Sequence, residues 1–299
     1  MRYFDLHCDS ITRCYRNGED LQNASGSVAA RYAPHFEQWT QIFAIFVPDS
    51  LQSEAAYDYY CKVYSFYREQ CGASILPHNL HAVLAIENGN VLCGDCRNIA
   101  SLAAQGVRVM SLTWNGENEL GFGCDCDETL GLKSLGKDAV RMMLVCGIVP
   151  DVSHLNIAGF WDVLDIWAKQ KERVPILATH SNAHAVHAHR RNLKDDQLQA
   201  IFSAGGLVGL NFYPMFLGGD GAHTDLARHL RHIITMGGAK HVAIGSDFDG
   251  APMHPNLTSV ETIPALRQSL LDFGIDPATV EDLFWNNAAR ILLGAEQGE

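Results

Sequence analysis

The 299-residue sequence predicts an α/β protein of the (β/α)8 TIM-barrel class, and three observations carry that expectation. Eight short apolar runs alternate with stretches of helical periodicity. No Gly/Ser-rich or Pro-rich linker breaks the alternation. Five of the eight runs end on a His, Asp or Glu, which in a barrel would share one face.

The strand-like runs are residues 3–7, 42–47, 82–86, 107–113, 148–153, 175–179, 207–212 and 241–245. Helical spacing marks residues 54–70, 139–145, 158–170, 195–203, 225–236, 260–273 and 278–293. In the third of these Phe160, Val163, Leu164 and Trp167 line one face. The last follows Asp276-Pro277, a helix-start signal with proline in the first turn. One barrel domain over residues 1–299 is expected, with long active-site loops around 10–41, which is polar, and 115–135, which is Gly- and Cys-rich.

Composition narrows the function classes. With 47% hydrophobic and 19% charged residues, the chain has ordinary globular content. Its formal net charge of −12, from 22 Lys+Arg against 34 Asp+Glu, repels phosphate backbones, and no Lys/Arg run carries interleaved aromatics. Nucleic acid is therefore not an expected partner. The start, Met1-Arg-Tyr-Phe-Asp, does not read as a secretory signal, and no stretch reaches the roughly 18 apolar residues of a membrane span. Nine scattered cysteines in a chain of this size read as reduced thiols. A cytoplasmic protein without membrane attachment is the expectation.

The strand ends carry, in order, His7/Asp9, Phe46/Pro48, Glu87, Trp114/Asn115, His154, His180, Asn211/Tyr213 and Asp247/Asp249. His7 and Asp9 stand two apart, so on a strand they face the same side while Cys8 faces away. Imidazole plus carboxylate on one rim is half of a divalent-cation site. Glu87 could bridge two ions about 3.5–4 Å apart. His154 and His180, on adjacent strands, point to a second metal site. Asp247 directly follows the last strand and suits both metal ligation and proton transfer. Asp249-Gly250 reads first as a turn.

These pieces resemble the membrane (renal) dipeptidase family, peptidase family M19, a branch of the metal-dependent amidohydrolase barrels. The matching motifs are His7-Cys-Asp9, Ala85-Ile-Glu87-Asn-Gly89, Gly106-Val-Arg-Val-Met-Ser-Leu-Thr113 and Asp151-Val-Ser-His154. They continue with Thr179-His180-Ser181, Arg190-Arg191-Asn192-Leu193, Asn211-Phe-Tyr213 and Gly245-Ser-Asp247-Phe-Asp249-Gly250, in family order over nearly the whole chain.

The resemblance implies a binuclear zinc dipeptidase. One Zn²⁺ would fall on His7, Asp9 and Asp247, the bridge on Glu87, and the second Zn²⁺ on His154 and His180. Arg191 would grip the terminal carboxylate of a dipeptide, a match of guanidinium fork to carboxylate. Trp114, Asn115 and Tyr213 would complete the substrate pocket. The expected chemistry is attack by a hydroxide shared between the metals, with Asp247 taking the proton and passing it to the leaving amine. The family's tendency to dimerise implies a homodimer.

One position departs from the pattern: Trp114 stands where the mammalian members have a histidine that stabilises the tetrahedral intermediate. An indole donates one hydrogen bond but carries no charge. Either Asn115, Asn118 or a metal would then supply that contact, or turnover and substrate range would differ. Cys93-Gly-Asp-Cys96 and Cys124-Asp-Cys126 lack the doubled spacing of a zinc ribbon, so no function is assigned to them. His184, His187 and His189 are read as part of the segment leading to Arg191, with His187 and His189 at most supporting groups. Two alternatives stay open: a related amidohydrolase acting on another amide or lactone, and an inactive metal-binding homologue.

Overall fold

The computed structural model describes residues 1–72, 75–170 and 174–294. Its parallel strands are β1 (Arg2–Cys8), β2 (Gln38–Phe46), β3 (Leu80–Glu87), β4 (Val107–Ser111), β5 (Val149–Asp151), β6 (Leu177–Ala178), β7 (Leu207–Leu210) and β8 (Val242–Ile244). They close a barrel in the order β1-β2-β3-β4-β5-β6-β7-β8, the (β/α)8 architecture expected from the sequence. Burial along the strands is nearly continuous, as in β1, where every residue after Arg2 is buried, because a parallel sheet is covered on both faces.

The helices are α1 (Ser10–Asn17), α2 (Ser53–Cys71), α3 (Asn98–Ala104), α4 (Ser134–Cys146), α5 (Ile157–Ala168), α6 (Asp195–Ser203), α7 (Pro214–Leu217), α8 (His223–Thr235), α9 (Ile263–Asp272), α10 (Pro277–Glu281) and α11 (Asn287–Leu292). Among the described residues no helix is long and apolar enough to cross a membrane.

Two compact units emerge from the contacts. One comprises Met1–Phe43, Glu69–Ala82 and Ala178–Glu299; the other comprises Ala44–Arg68 and Val83–Leu177.

In the first unit β1 pairs with β2 from Arg2↔Gln38 onward and with β8 at Asp5↔Ile244, and β7 pairs with β8 from Val208↔Val242. Tyr3 stacks on Phe36 with centroids 5.3 Å apart, and Phe4 packs on Trp285 at 5.9 Å. Asp276 caps α10 by accepting from the amides of Ala278 and Thr279, with Pro277 in the first turn. A π turn over Asp282–Asn286 joins α10 to α11, so the single stretch of helical spacing at 278–293 folds as two α segments with a π turn between them.

The polar 10–41 stretch is not all loop. It opens with α1, whose buried face is Ser10, Ile11, Thr12 and Cys14 and which ends on Gly18 in the left-handed region. Three hydrophobic residues in eight, Ile11, Cys14 and Tyr15, are too few to announce a helix; burial of the polar ones against the barrel makes it.

In the second unit β3 pairs with β4 and β4 with β5. Asn156 caps α5, which buries Phe160, Val163, Leu164 and Ile166, while Trp167 stays half-buried and donates to the Val174 carbonyl at 2.8 Å. The 115–135 stretch is irregular and carries two isolated bridges, Glu117↔Phe122 and Gly123↔Leu155.

Candidate metal centre

Each proposed ligand sits at, or just past, the C-terminal end of its strand. His7 lies at the end of β1 and Asp9 just beyond it, and Asp247 follows β8 with a left-handed φ of 63°. Ligand atoms of His7, Asp9 and Asp247 lie within 4.8 Å of one another, and all three residues are buried. His7 Nε2 is 3.5 Å from Asp9 Oδ2. A Cβ on Gly250 would collide with Asp9 Oδ2 and Asp247 Oδ1, so only glycine leaves both carboxylates their place.

Two carboxylates this close below the surface repel each other unless a cation lies between them. With an imidazole alongside, the donor set fits a divalent ion of the zinc type.

His180 follows β6, its ring centroid 3.9 Å from that of His7. The Thr179 hydroxyl lies 2.8 Å from His180 Nδ1 and 3.5 Å from His7 Nδ1, leaving each ring's Nε2 directed elsewhere. Close packing makes room for this: a Cβ on Gly209 or Gly245 would collide with the Thr179 carbonyl. Asn211 donates to Asp247 Oδ2 at 2.9 Å and to the His180 carbonyl at 3.3 Å.

Sequence reasoning missed Asp5. It is fully buried on β1, and burial raises its pKa. It accepts from Ser246 N at 2.9 Å, Ser246 Oγ at 2.6 Å, His7 N at 3.3 Å and Tyr3 Oη at 3.1 Å. The carboxylate thus clasps β1 to the residue just before Asp247. A carboxylate inside an apolar strand, in the same parity as His7 and Asp9, was the available signal.

Arg191 is buried while Arg190 is exposed, which separates two residues that look alike in sequence. Its Nη2 donates to the His180 carbonyl at 3.4 Å, its amide donates to His189 Nδ1 at 3.1 Å, and its guanidinium lies 5.4 Å over the Phe216 ring. Tyr213 packs edge-on against the same ring at 4.9 Å. His189 therefore supports Arg191 directly, and its ring is 4.7 Å from Phe216. Asp249, at φ 65°, is in a turn but does more than turn: it accepts from Ser10 Oγ at 2.6 Å and Ser27 N at 2.9 Å.

In the second unit Glu87 ends β3, and Glu87 Oε1 lies 2.8 Å from His154 Nε2. His154 Nδ1 faces Asn115 Oδ1 at 2.8 Å, so Nδ1 donates to that oxygen and the ring orientation is set from that side. His154 is placed by a turn in which Asp151 Oδ1 accepts from Ser153 N at 3.0 Å and Ser153 Oγ at 2.6 Å. Trp114 is half-buried, edge-on to Phe46 at 5.2 Å and 6.4 Å from the His154 ring.

Asn118 does not serve as the donor suggested for the tetrahedral intermediate. Its amide nitrogen already donates to Asn88 Oδ1 at 3.0 Å and the Leu112 carbonyl at 2.8 Å, and its oxygen accepts from Leu120 N and Gly121 N. Among the described residues no cysteine is in a disulfide.

A family model described as membrane dipeptidase, peptidase family M19, matches residues 1–299. The chain belongs to the membrane dipeptidase family. As a member of peptidase family M19 it is a metal-dependent dipeptidase-type hydrolase. Over 225 residues it is 36% identical to an uncharacterised Klebsiella pneumoniae protein from the pqqA 5′ region, covering 71% of this chain and 81% of that one. The fold is similar to that of a solved family M19 metallopeptidase, dipeptidase AC, with a TM-score of 0.86, 26% identity and 99% of both chains covered. It is also similar to a Rhodobacter sphaeroides metallopeptidase solved with a phosphinate mimic of L-Ala-D-Ala, with a TM-score of 0.83, 26% identity, and 98% and 99% of the two chains covered. The chain spans about half the length of the Aspergillus oryzae and Schizosaccharomyces pombe dipeptidases it also matches.

Proposed function

We propose that this protein is a binuclear zinc dipeptidase that cleaves the peptide bond of dipeptides bearing a free C-terminal carboxylate. The observation that carries the reading is the buried His7, Asp9 and Asp247 group, with ligand atoms within 4.8 Å, at the ends of neighbouring strands. One Zn²⁺ would be held by His7, Asp9 and Asp247, and a second by His154 and His180, with Glu87 shared between them. Support for the combination comes from the closed parallel barrel, which turns the C-terminal ends of its strands to one rim. Imidazole and carboxylate donors suit zinc. Bound there, the ions would supply a water deprotonated near neutral pH and a Lewis acid for the peptide carbonyl.

The remaining work falls to the chain. Asp247 accepts the nucleophile's proton and delivers it to the leaving amine, a contribution of roughly 10²–10⁴-fold for a positioned acid–base group. The amide of Asn211 holds Asp247 Oδ2, so the shuttle works from a fixed carboxylate. Arg191 holds the substrate carboxylate from a rigid seat against Phe216, which limits substrates to short peptides. Trp114 lines the pocket beside His154, and Tyr213 lines it beside Phe216.

The test is a panel of L,L- and L,D-dipeptides, each as free acid and C-terminal amide, assayed on the zinc-loaded protein and after chelation. The Rhodobacter neighbour's L-Ala-D-Ala mimic makes the L,D-series the first to try. Hydrolysis that vanishes on chelation, returns with Zn²⁺ and requires the free carboxylate is expected. A metal-loaded protein inert on the whole panel would overturn the reading.

A further inference from the structure

The segment carrying Arg191 is an excursion held shut at its base. Ala183 bridges Leu193; His184 N donates to the Leu193 carbonyl at 2.8 Å, and Leu193 N donates to the Asn182 carbonyl at 2.8 Å. On its far side Arg191 rests on Phe216, the penultimate residue of α7, and Asn192 donates to the Phe216 carbonyl at 2.7 Å. The orientation of the guanidinium therefore depends on the base of the excursion and on α7 together.

One side chain joins the two. His229, in the middle of α8, is fully buried. Its Nδ1 accepts the Ala183 amide at 3.1 Å, and its Nε2 lies 2.9 Å from the Leu217 carbonyl. A backbone N–H can only donate and a carbonyl can only accept, so the ring must be neutral with its proton on Nε2. A histidine inside a helix that uses both nitrogens on backbone groups of two other segments is poorly explained as core filler. A leucine would fill the space and leave a buried amide and a buried carbonyl unsatisfied.

We propose that His229 is the positioning residue for Arg191. By tying the base of the excursion to the end of α7, it sets where the guanidinium meets the substrate's terminal carboxylate, without touching the substrate. The inference rests on the reading of Arg191 as the carboxylate-binding group.

A dipeptide and its C-terminal amide are assayed on the wild type, Arg191→Ala, His229→Gln and His229→Asn. Gln keeps a donor toward Leu217 and loses the acceptor for Ala183; Asn keeps the acceptor and loses the donor. KM for the free acid is expected to rise about tenfold or more in each His229 variant, with kcat within about threefold and the preference for acid over amide reduced. Wild-type KM and acid preference in both variants, alongside their loss in Arg191→Ala, would overturn the proposal while sparing the Arg191 reading. Equal handling of acid and amide by the wild type would remove the Arg191 reading itself, and the proposal with it. A measurement on the wild type covers variants that do not fold: a non-hydrolysable dipeptide acid should shift the His229 imidazole nitrogen resonances and its amide should not, and no shift with the acid would overturn the proposal.

Discussion

The side-chain amide of Asn211 donates to Asp247 Oδ2 at 2.9 Å, and that bond holds one oxygen of the carboxylate proposed above as both metal ligand and proton shuttle. The other oxygen, Oδ1, lies beside Gly250, where Asp9 Oδ2 also approaches. Asn211→Ala is expected to lower kcat by about 10–100-fold, the usual cost of removing a group that orients a metal ligand. Asn211→Asp should be worse, because a second carboxylate beside Asp247 would force the pair to share a proton. Steady-state kinetics with parallel metal analysis check both; unchanged kcat in Asn211→Ala would show that Asp247 needs no such restraint.

His154 stands between Glu87 and Asn115, at 2.8 Å from each. Replacing Asn115 with Ala frees the imidazole to flip and change tautomer. Affinity for one of two zinc ions should fall by about 10–100-fold while the other is retained, as read by titration with a chromophoric chelator. Equal loss of both ions, or of neither, would contradict the division of ligands proposed above.

Burial lowers the His229 pKa to about 4; the hydrogen bond to the Leu217 carbonyl and, more weakly, Asp225 oppose it, while Arg228 on its own helix and His187 act in the same direction as burial. In the unfolded chain the residue titrates near 6.5. Between those values the unfolded state binds the extra proton, so stability rises with pH there and is lost as pH falls from about 6.5 toward 4. The contribution reaches about 3 kcal/mol at most. Urea unfolding of the wild type should weaken across this window, and His229→Gln should show a shallower dependence; identical slopes would refute the assignment.

Asp249, whose side chain is only 6% exposed, joins Ser10 at the start of α1 to Ser27 in the following loop. Asp249→Ala removes both acceptor bonds and places a non-glycine residue without turn chemistry at φ 65°. A loss of about 2–4 kcal/mol is expected in chemical denaturation. Asp249→Asn, which tolerates the left-handed region and keeps an acceptor oxygen, should lose less. If the two variants prove equally stable, the carboxylate's bonds are not what holds the loop.

Much of the architecture was legible because parallel strands buried on both faces appear as apolar runs, and the run ends give away reactive groups such as Glu87 and His154. Boundaries were less legible where pairing rather than composition defines the strand: β6 is only Leu177–Ala178, and β2 begins at Gln38, before its apolar run. Helix α3 and helix α1 escaped notice because each is short and earns its stability from packing. Within the candidate site, Asp5 and His229 were invisible as functional groups, since their roles consist of bonds to segments far away in sequence.

The order of residue types along the chain was enough to determine the alternating architecture, which follows from local periodicity, and the family, which is carried by a series of motifs in a fixed order. Which of Arg190 and Arg191 is buried, that Asn118 is consumed by its own loop while Asn115 faces His154, and that a distant helix histidine braces the Arg191 segment were decided only by the folded chain. Directional bonds between segments depend on where the backbone passes in space, and no local pattern of side chains encodes that.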